Sequence, residues 1–593
     1  VSADGFFDDA LGWFGYEGEP LPSAWDKGKK LVELVRQQRS LLILDGLEPL
    51  QYPPGEMQGQ LKDQGMQALL KDLARANPGL CVISTRMAVA ELEGTAANSS
   101  PKILLENLSP QAGAQLLRTL GVQGSDNELT AASSDFGGHA LALNLLGSYL
   151  ATVHEGEIRK RDLIPHLSDD LEKGGHARRV MASYEKWLHG KPELDILYLM
   201  GLFDRPAAAG ALAALRAEPA IAGLTDAVQN LSDAQWRFAV KHLRDLRLLS
   251  ATENNDKNSL DCHPLVREHF GEQLQRTNPD GWRAAHSRLY DYYKSLPEKH
   301  LPDTLEEMEP LFAAVAHGCL AGRHQQALDD VFWPRIYRGG EKYSIHKLGA
   351  FGADLAALSN FFEPPWRQPA AGLGNMWKAG VLNWAGYGLR ALGRLREADE
   401  AMQACMEMYV EKDDAKEVAI AAGNLSELML TLGRVAQAVD YGRQSVDYAD
   451  RSGDDNWIYA SRTTYADALH QSGALDEAEK QFRDAETMQQ QRQPDYRYLY
   501  SLRGFLFCDL LLSRGHAREV LQRYEKLVEW RLPSDSLLDF ALEELSAGRA
   551  HLLLALEKHP ELDILHPERS RGMAHASTAL SVTQLSHAET HMQ

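Results

Sequence analysis

Asp45 and Glu48, three residues apart, are the side chains whose type and placement best suit chemistry. They close the run Ser40-Leu-Leu-Ile-Leu-Asp-Gly-Leu-Glu48, in which four apolar residues lead straight into a carboxylate. The run is too short for a helix and predicts a strand buried on both faces, as in a parallel α/β sheet. A carboxylate just past such a strand stands at the C-terminal edge of the sheet, where ligands bind. Asp45 there can hold a Mg²⁺ that bridges nucleotide phosphates, and Glu48 can polarise a water. A buried strand can also simply end in an Asp at a turn.

Arg86 is the third candidate. It ends Leu80-Cys-Val-Ile-Ser-Thr-Arg86, a second predicted buried strand that closes on two hydroxyls and a guanidinium. An arginine at that edge can read a terminal phosphate through its planar fork, or merely pair with an acid such as Asp45. The elements that must place these groups follow a strand–helix alternation. Phe6, Phe7, Ala10, Leu11 and Phe14 recur at helical spacing, and Trp25 to Gln38 and Met66 to Ala76 read as further helices. Pro53-Pro54-Gly55 reads as a loop, Ile103 to Leu105 as a third strand, and Ser109-Pro110 as a capped helix start. Together they predict a parallel α/β arrangement. The sequence has no Gly-x-x-x-x-Gly-Lys-Ser/Thr loop: Gly28-Lys29 runs into Lys30, and Gly190-Lys191 into Pro192.

Composition narrows the partners. With 593 residues several domains are expected. No apolar run reaches membrane-spanning length, and Val1 to Tyr16 lacks a basic signal-type start. A net charge of −21 disfavours broad nucleic-acid binding. The five cysteines are scattered, without metal-ligand spacing, which fits reduced thiols in a cytoplasm. The chain opens without Met, as expected of the downstream part of a longer protein.

Beyond residue 125 helices dominate. Leu129 to Leu150 is interrupted at Gly137-Gly138, and a glycine pair opening a helix can bring backbone N–H groups to a phosphate or serve as a plain turn. Leu231 to Leu248 forms a helix capped by Ser232. Arg247–Thr252 and Ser259–Cys262 flank a polar tip, and a helix follows His263-Pro264. Helix, hairpin, helix outlines a winged helix. Its Arg237, Lys241, Arg244 and Arg247 suit a solvated face better than a DNA backbone in so acidic a chain.

The last third repeats. Gly393, Gly433, Gly473 and Gly515 recur at intervals of 40, 40 and 42 residues. Seven positions before each stands a small residue (Gly386, Ser426, Ala466, Cys508), and four before each a large apolar one (Leu389, Met429, Leu469, Leu511). A turn glycine between helices that pack closely resembles tetratricopeptide (TPR) repeats, with helices longer than the usual ~34-residue unit gives. Leu320-Ala-Gly-Arg-His-Gln-Gln-Ala resembles one more such turn. Stacked repeats make a concave binding face, for which Trp384, Tyr387, Trp457, Tyr459, Tyr465, Tyr496, Tyr498 and Tyr500 are candidate linings. The tail from Ser570 to Gln593 is polar.

Five motifs stand in one order. They are Leu-Leu-Ile-Leu-Asp-Gly-Leu-Glu, Cys-Val-Ile-Ser-Thr-Arg, Leu-Glu-Asn-Leu-Ser-Pro-Gln-Ala-Gly-Ala-Gln-Leu-Leu, Gly-Gly-His-Ala-Leu-Ala-Leu and Cys-His-Pro-Leu-Val-Arg-Glu. This series resembles the STAND class of P-loop NTPases, which includes NB-ARC, NACHT and bacterial NLR-like proteins. The resemblance implies that Asp45 is the Walker B aspartate, that Glu48 is the extra acid of NACHT-type members, and that Arg86 is sensor 1. It implies that Gly138 to Leu143 packs on the base, with Ala140 where the family usually has Pro. It also implies that His263, the one residue kept from a Met-His-Asp triplet, contacts ADP phosphates. The family's Walker A strand is expected between the Asp45 and Arg86 strands, leaving a sheet without its middle.

The implied fold class is multidomain and mostly α. It comprises a partial parallel α/β P-loop NTPase domain (1–125), a helical lid domain (126–190) and a winged helix (191–275). Connecting helices or first repeats (276–370) and a C-terminal TPR-like α-solenoid (371–593) complete it. The implied cofactors are ATP or ADP with Mg²⁺. The implied function is a nucleotide-regulated cytoplasmic signalling switch. A protein ligand on the TPR face would drive self-oligomerisation and an upstream effector domain, as in bacterial antiphage defence, while the 593 residues alone would be inactive as an ATPase. Alternatives are a STAND transcriptional regulator with an appended DNA-binding domain, or a non-enzymatic TPR scaffold with a relic NTPase.

Overall fold

The computed structural model describes residues 3–19, 21, 23–52, 57–94, 99–164, 175–251, 259–531 and 537–558. The Pro53-Pro54-Gly55 loop, the polar tip of the predicted hairpin and the C-terminal tail lie outside them. The chain forms two compact units. One comprises residues 1–100, 303–306 and 333–593, and the other residues 101–302 and 307–332.

The first unit begins with helices α1 (Asp4–Trp13) and α2 (Ala24–Arg36), strand β1 (Leu41–Leu44), helix α3 (Gln64–Arg75) and strand β2 (Leu80–Ile83). Ser23 and Asp63 cap α2 and α3 by accepting from the backbone N–H of Asp26 and Met66. The two helices touch at their glycines: a Cβ on Gly28 would lie 2.2 Å from the Gly65 carbonyl oxygen. Phe7, Leu31, Val35, Leu69 and Leu73 form the core with Leu44, and Leu42, Cys81 and Ile83 pack onto it.

Strands β1 and β2 pair directly and in parallel, Leu41 opposite Leu80 through Leu44 opposite Ile83. This corrects two expectations. No strand stands between them, so the pair is not a sheet lacking its middle. Nor are the strands buried on both faces: Leu41, Ile43, Leu80 and Val82 are 64%, 63%, 59% and 43% exposed. Alternate side chains point to opposite faces of a strand, and α1 to α3 pack against one face only. The third predicted strand also fails. Ile103 to Leu105 carries no regular structure and is 81%, 76% and 89% exposed, and the described sheet has two strands. Apolar residues alone do not make a strand without a ladder to join.

The repeats are helical hairpins: Asn375–Ala391 with Leu395–Glu411, Ala415–Thr431 with Val435–Ser452, Asp455–Ser472 with Leu475–Arg492, and Ser501–Ser513 with Ala517–Trp530. Helix Leu537–Lys558 follows. All four turn glycines adopt positive φ, between 70° and 85°. The residue after each donates its N–H to the carbonyl of the large apolar residue four before the glycine, at 2.8–3.0 Å. That bond is a helix-terminating motif that glycine permits. The small residues lie where paired helices come closest. A Cβ on Gly386 would sit 2.8 Å from Met402 Cγ, and buried Ser426 donates to the Ala438 carbonyl at 2.8 Å. Several of the candidate aromatics contact other rings or the core, as helix-packing residues do, while Tyr387 is 40% exposed. Trp384 stacks on Trp333 with ring centres 4.9 Å apart, Tyr459 is buried, and Tyr496 meets Trp530 edge-on.

The second unit is helical, with one apolar core running from Ala114 to Leu289. Ser109 caps Pro110–Thr119, and helices Asp126–Asp135 and Ala140–Val153 flank the glycine pair. Ser232 caps Asp233–Asp245 in a reciprocal capping box with Gln235. The stems of the predicted hairpin meet at Ser250 N–H to Asp261 O, 2.7 Å, and Leu260 bridges antiparallel to Ala207. Among the described residues no helix is long and apolar enough to cross a membrane.

Candidate functional site

The two strand ends bring Asp45, Glu48 and Arg86 together at one edge. Ser84 organises it. Its N–H bonds the Leu44 carbonyl at 2.9 Å, its Oγ accepts from Gly46 N at 3.0 Å, and the same hydroxyl donates to Asp45 Oδ1. Gly46, at φ +71°, turns the chain so that Leu47 N reaches Ser84 O. Glu48 opens a short 3-10 turn and accepts from Arg86 N at 2.6 Å, with Arg86 Nε 3.8 Å from the same oxygen. The plainer sequence alternative thus holds in part: Arg86 faces an acid, and that acid is Glu48. Its guanidinium still stands 74% exposed.

Sequence reasoning noticed the hydroxyls of Ser84 and Thr85 but assigned them no partner, and it missed Gln51. Gln51 is 2% exposed. Its Oε1 accepts from Thr85 Oγ1 at 2.6 Å, while its Nε2 donates to the carbonyls of Gly59 and Ala88 at 3.1 and 3.2 Å. One amide therefore ties the loop after β1 to the loop after β2. The next residue, Tyr52, donates to Glu397 at 2.6 Å, and Glu397 is gripped by Arg394 at 2.5 and 2.7 Å. A cavity of about 570 Å³ lies there, between Tyr52, Met57 and Gln60 on one side and Gly393 to Glu397 on the other. Glu397 and Arg394 hold the Tyr52 ionisation balance in opposite senses, and burial with Glu397 pushes the phenol well above its usual range.

The donor set fits a hard cation sparsely. A carboxylate offers more lone pairs than Ser84 occupies, so Asp45 can ligate Mg²⁺. Among the described residues no three His, Cys, Asp or Glu side chains gather as a metal cage. Any Mg²⁺ at Asp45 would therefore complete its shell with water and phosphate oxygens, the usual habit of that ion. Arg86 supplies an exposed guanidinium at this edge.

Gly138, Ala140 and His263 belong to the other unit. Gly137 and Gly138 both have positive φ, 61° and 65°. A Cβ on Gly138 would lie 2.2 Å from the Leu108 carbonyl, and Leu108 N bonds Gly138 O at 2.9 Å, so this glycine makes a tight inter-segment turn. His139 caps the helix that Ala140 opens, its Nδ1 accepting from Ala142 N at 3.3 Å, and Ala140 is exposed. Close by, burial, Arg179 and His139 hold the His176 imidazole below its usual pKa. His263 is exposed and caps Pro264–Thr277 through Nδ1 and Leu265 N at 3.1 Å. Cys262 beside it is buried, which pushes its thiol up to about 12.

No protein-family model matches the sequence, and no curated protein matches it. Among solved structures the chain is similar to the crystal structure of a signal transduction ATPase with numerous domains (STAND) carrying a tetratricopeptide repeat sensor, from Pyrococcus horikoshii. Identity is 14%, the match covers 95% of this chain and 90% of that one, and the TM-score is 0.37.

Proposed function

We propose that this chain belongs to a signalling switch of the STAND class, with the Asp45 edge as the acid-and-arginine side of a nucleotide site and the repeats as its sensor. The observation that carries the reading is the convergence of Asp45, Glu48 and Arg86 on one strand edge, in a chain whose five motifs follow the STAND order. Asp45 holds the Mg²⁺ of ATP or ADP, and the ion, when bound, neutralises phosphate charge. The exposed Arg86 guanidinium turns from Glu48 to meet a phosphate, while Glu48 stays fixed by the Arg86 backbone N–H through Oε1 and offers its other oxygen to take a proton from water. Residues 126–190 act as lid and 191–275 as winged helix, and the STAND resemblance gives Gly138, Ala140 and His263 of these segments nucleotide-contacting roles of their own. A protein ligand on the repeats opens this assembly for exchange, self-oligomerisation and an effector output such as antiphage defence in the cytoplasm.

Titration calorimetry of the natural polypeptide with Mg²⁺–ADP and Mg²⁺–ATP tests this. Affinity should fall about tenfold or more in Asp45→Asn, as when a ligand of a metal site is disturbed, and ADP release should quicken in His263→Ala. Wild-type affinity in Asp45→Asn would remove that residue from the site. A second reading, a TPR scaffold with a relic NTPase, is favoured by the exposure of Leu41, Ile43, Leu80 and Val82. It predicts no nucleotide binding at all.

A further inference from the structure

Three buried carboxylates meet where α1 lies against the short helix Phe351–Leu358. Asp4, 2% exposed, opens α1, and its Oδ2 accepts from Ala353 N at 2.9 Å. Ala353 lies in the first turn of the other helix, whose own capping position, Ala350, supplies no side-chain bond. Asp4 thus caps that helix from a distance of 349 residues along the chain. Asp354, 1% exposed, receives Ser344 Oγ on Oδ1 at 2.7 Å, while its Oδ2 has no hydrogen-bond partner. Asp63, 6% exposed, caps α3.

Each packed element brings its own groups. From α2 comes Lys27, 4% exposed, whose ammonium is paired with Asp8 of α1 at 2.7 Å. From the preceding segment come Ser344 and the buried Tyr337, whose phenol feels the Asp354 charge. Helix Asn375–Ala391 meets the Phe351–Leu358 helix through Gly388 against Leu355 and Tyr387 against Phe351, with Lys342 above the Tyr387 ring. Three carboxylates around one committed ammonium cannot all ionise cheaply out of water. Burial first, opposed by Ser344 and then reinforced by Asp4, pushes Asp354 up to about 7. Burial also raises Asp63, to about 6, with Asp4 adding to the rise and Lys27 opposing it.

We propose that this junction is a proton-held fastening: α1 stays docked on the Phe351–Leu358 helix while Asp354 carries a proton, and the dock weakens when the proton leaves. The ionised Asp354 faces Asp4, the same side chain whose oxygen holds Ala353, and opening to water relieves both the repulsion and the desolvation. The sign follows from linkage. A carboxyl whose folded value lies above its unfolded 3.8 lends stability below that value, and loses it as pH rises through about 7. The protective effect falls about tenfold between about pH 6 and about pH 8.

Hydrogen exchange of peptides covering 4–13 and 351–358, corrected for intrinsic rates, reads this directly in the whole chain. Wild type should lose about tenfold in protection across that interval, and Asp354→Asn should lose none. A wild type with constant protection, or an Asp354→Asn variant keeping the wild-type step, overturns the proposal. Should Asp354→Asn fail to fold, Asp4→Asn takes its place: without the facing charge the step must shrink, and an unchanged step overturns the idea. Asp63→Asn must keep the step, and its loss there would assign the titration to the wrong group.

Discussion

Arg523 offers the sharpest test of how the repeats are held. Among the described residues it is the largest fully buried side chain, 1% exposed, on helix Ala517–Trp530. Its guanidinium forks onto Glu486 of the neighbouring hairpin at 2.6 and 3.0 Å and reaches Glu519 at 3.1 Å. The rings of Phe507 and Tyr498 lie 4.4 and 4.6 Å from its centre. Arg523→Met keeps much of the volume but takes the guanidinium from Glu486, itself only 13% exposed, which still accepts from the Leu499 N–H at 3.0 Å. Breaking one half of a buried ion pair costs about 3–5 kcal/mol, because the surviving charge stays buried. Repeat arrays are stabilised by neighbour contacts, so the loss should fall on the hairpins between Leu475 and Trp530. Denaturant melting followed by hydrogen exchange of those helices measures it. The double variant Arg523→Met with Glu486→Leu should recover all but about 1 kcal/mol, since an apolar pair of similar volume can replace a buried ion pair. A single-variant cost under about 1 kcal/mol, or a double variant as unstable as the single, would refute the reasoning.

Tyr52→Phe removes one hydrogen bond to a charged acceptor while Arg394 keeps Glu397, and should cost about 1.5–3 kcal/mol, read as faster exchange in 57–62 with the repeats unchanged. Gly473, at φ +85°, has no atom near its would-be Cβ, so Gly473→Ala measures backbone strain alone. It should cost about 1–2 kcal/mol in melting, and a neutral result would contradict the turn geometry. His286 and His317 stand buried with their Nδ1 atoms 2.9 Å apart. Burial lowers both, and His317 further lowers His286, to about 3 and about 4 respectively for His286 and His317. A depressed imidazole lends stability above its unfolded 6.5 that is lost as pH falls toward those values, so acid melting of residues 101–332 should steepen below about pH 6.5, and a flat profile would refute the pairing.

Much of the fold was legible because the signals were local. Capping residues Ser109 and Ser232 stand where the sequence puts them, and the helix on either side of Gly137-Gly138 breaks there. The repeat glycines stand at the turns between helices that their spacing implied, and there they adopt positive φ. What failed depended on partners. Ile103 to Leu105 has strand composition but no ladder, and Leu41 and Ile43 look as buried in sequence as Leu42 and Leu44 do. Which face a strand buries is decided by where α1 to α3 land, a tertiary fact that periodicity does not encode. At the edge, Asp45, Glu48 and Arg86 were read from type and position. The partners were not: that Glu48 takes Arg86 and Ser84 takes Asp45 depends on register, and nothing in the sequence distinguishes Gln51 from any loop glutamine.

That buried glutamine changes how the edge is to be understood. Asp45 is not a side chain at the end of an isolated strand, because the loop it opens is fixed at both ends within eight residues. Ser84 fixes the first end through Gly46 and Leu47, and Gln51 fixes the second through Thr85. Tyr52, next in sequence, continues the same chain of bonds to Glu397 at the start of helix Leu395–Glu411, just after the first repeat glycine, and Gln64 adds a second bond there, to the Leu392 carbonyl at 2.7 Å. Loop, strand ends and repeat turn therefore form one hydrogen-bonded body. Moving the backbone at Glu48 or Arg86 therefore disturbs bonds that lead to Tyr52, and a displaced Gly393 turn acts back on this segment through the Tyr52 phenol and the Gln64 amide.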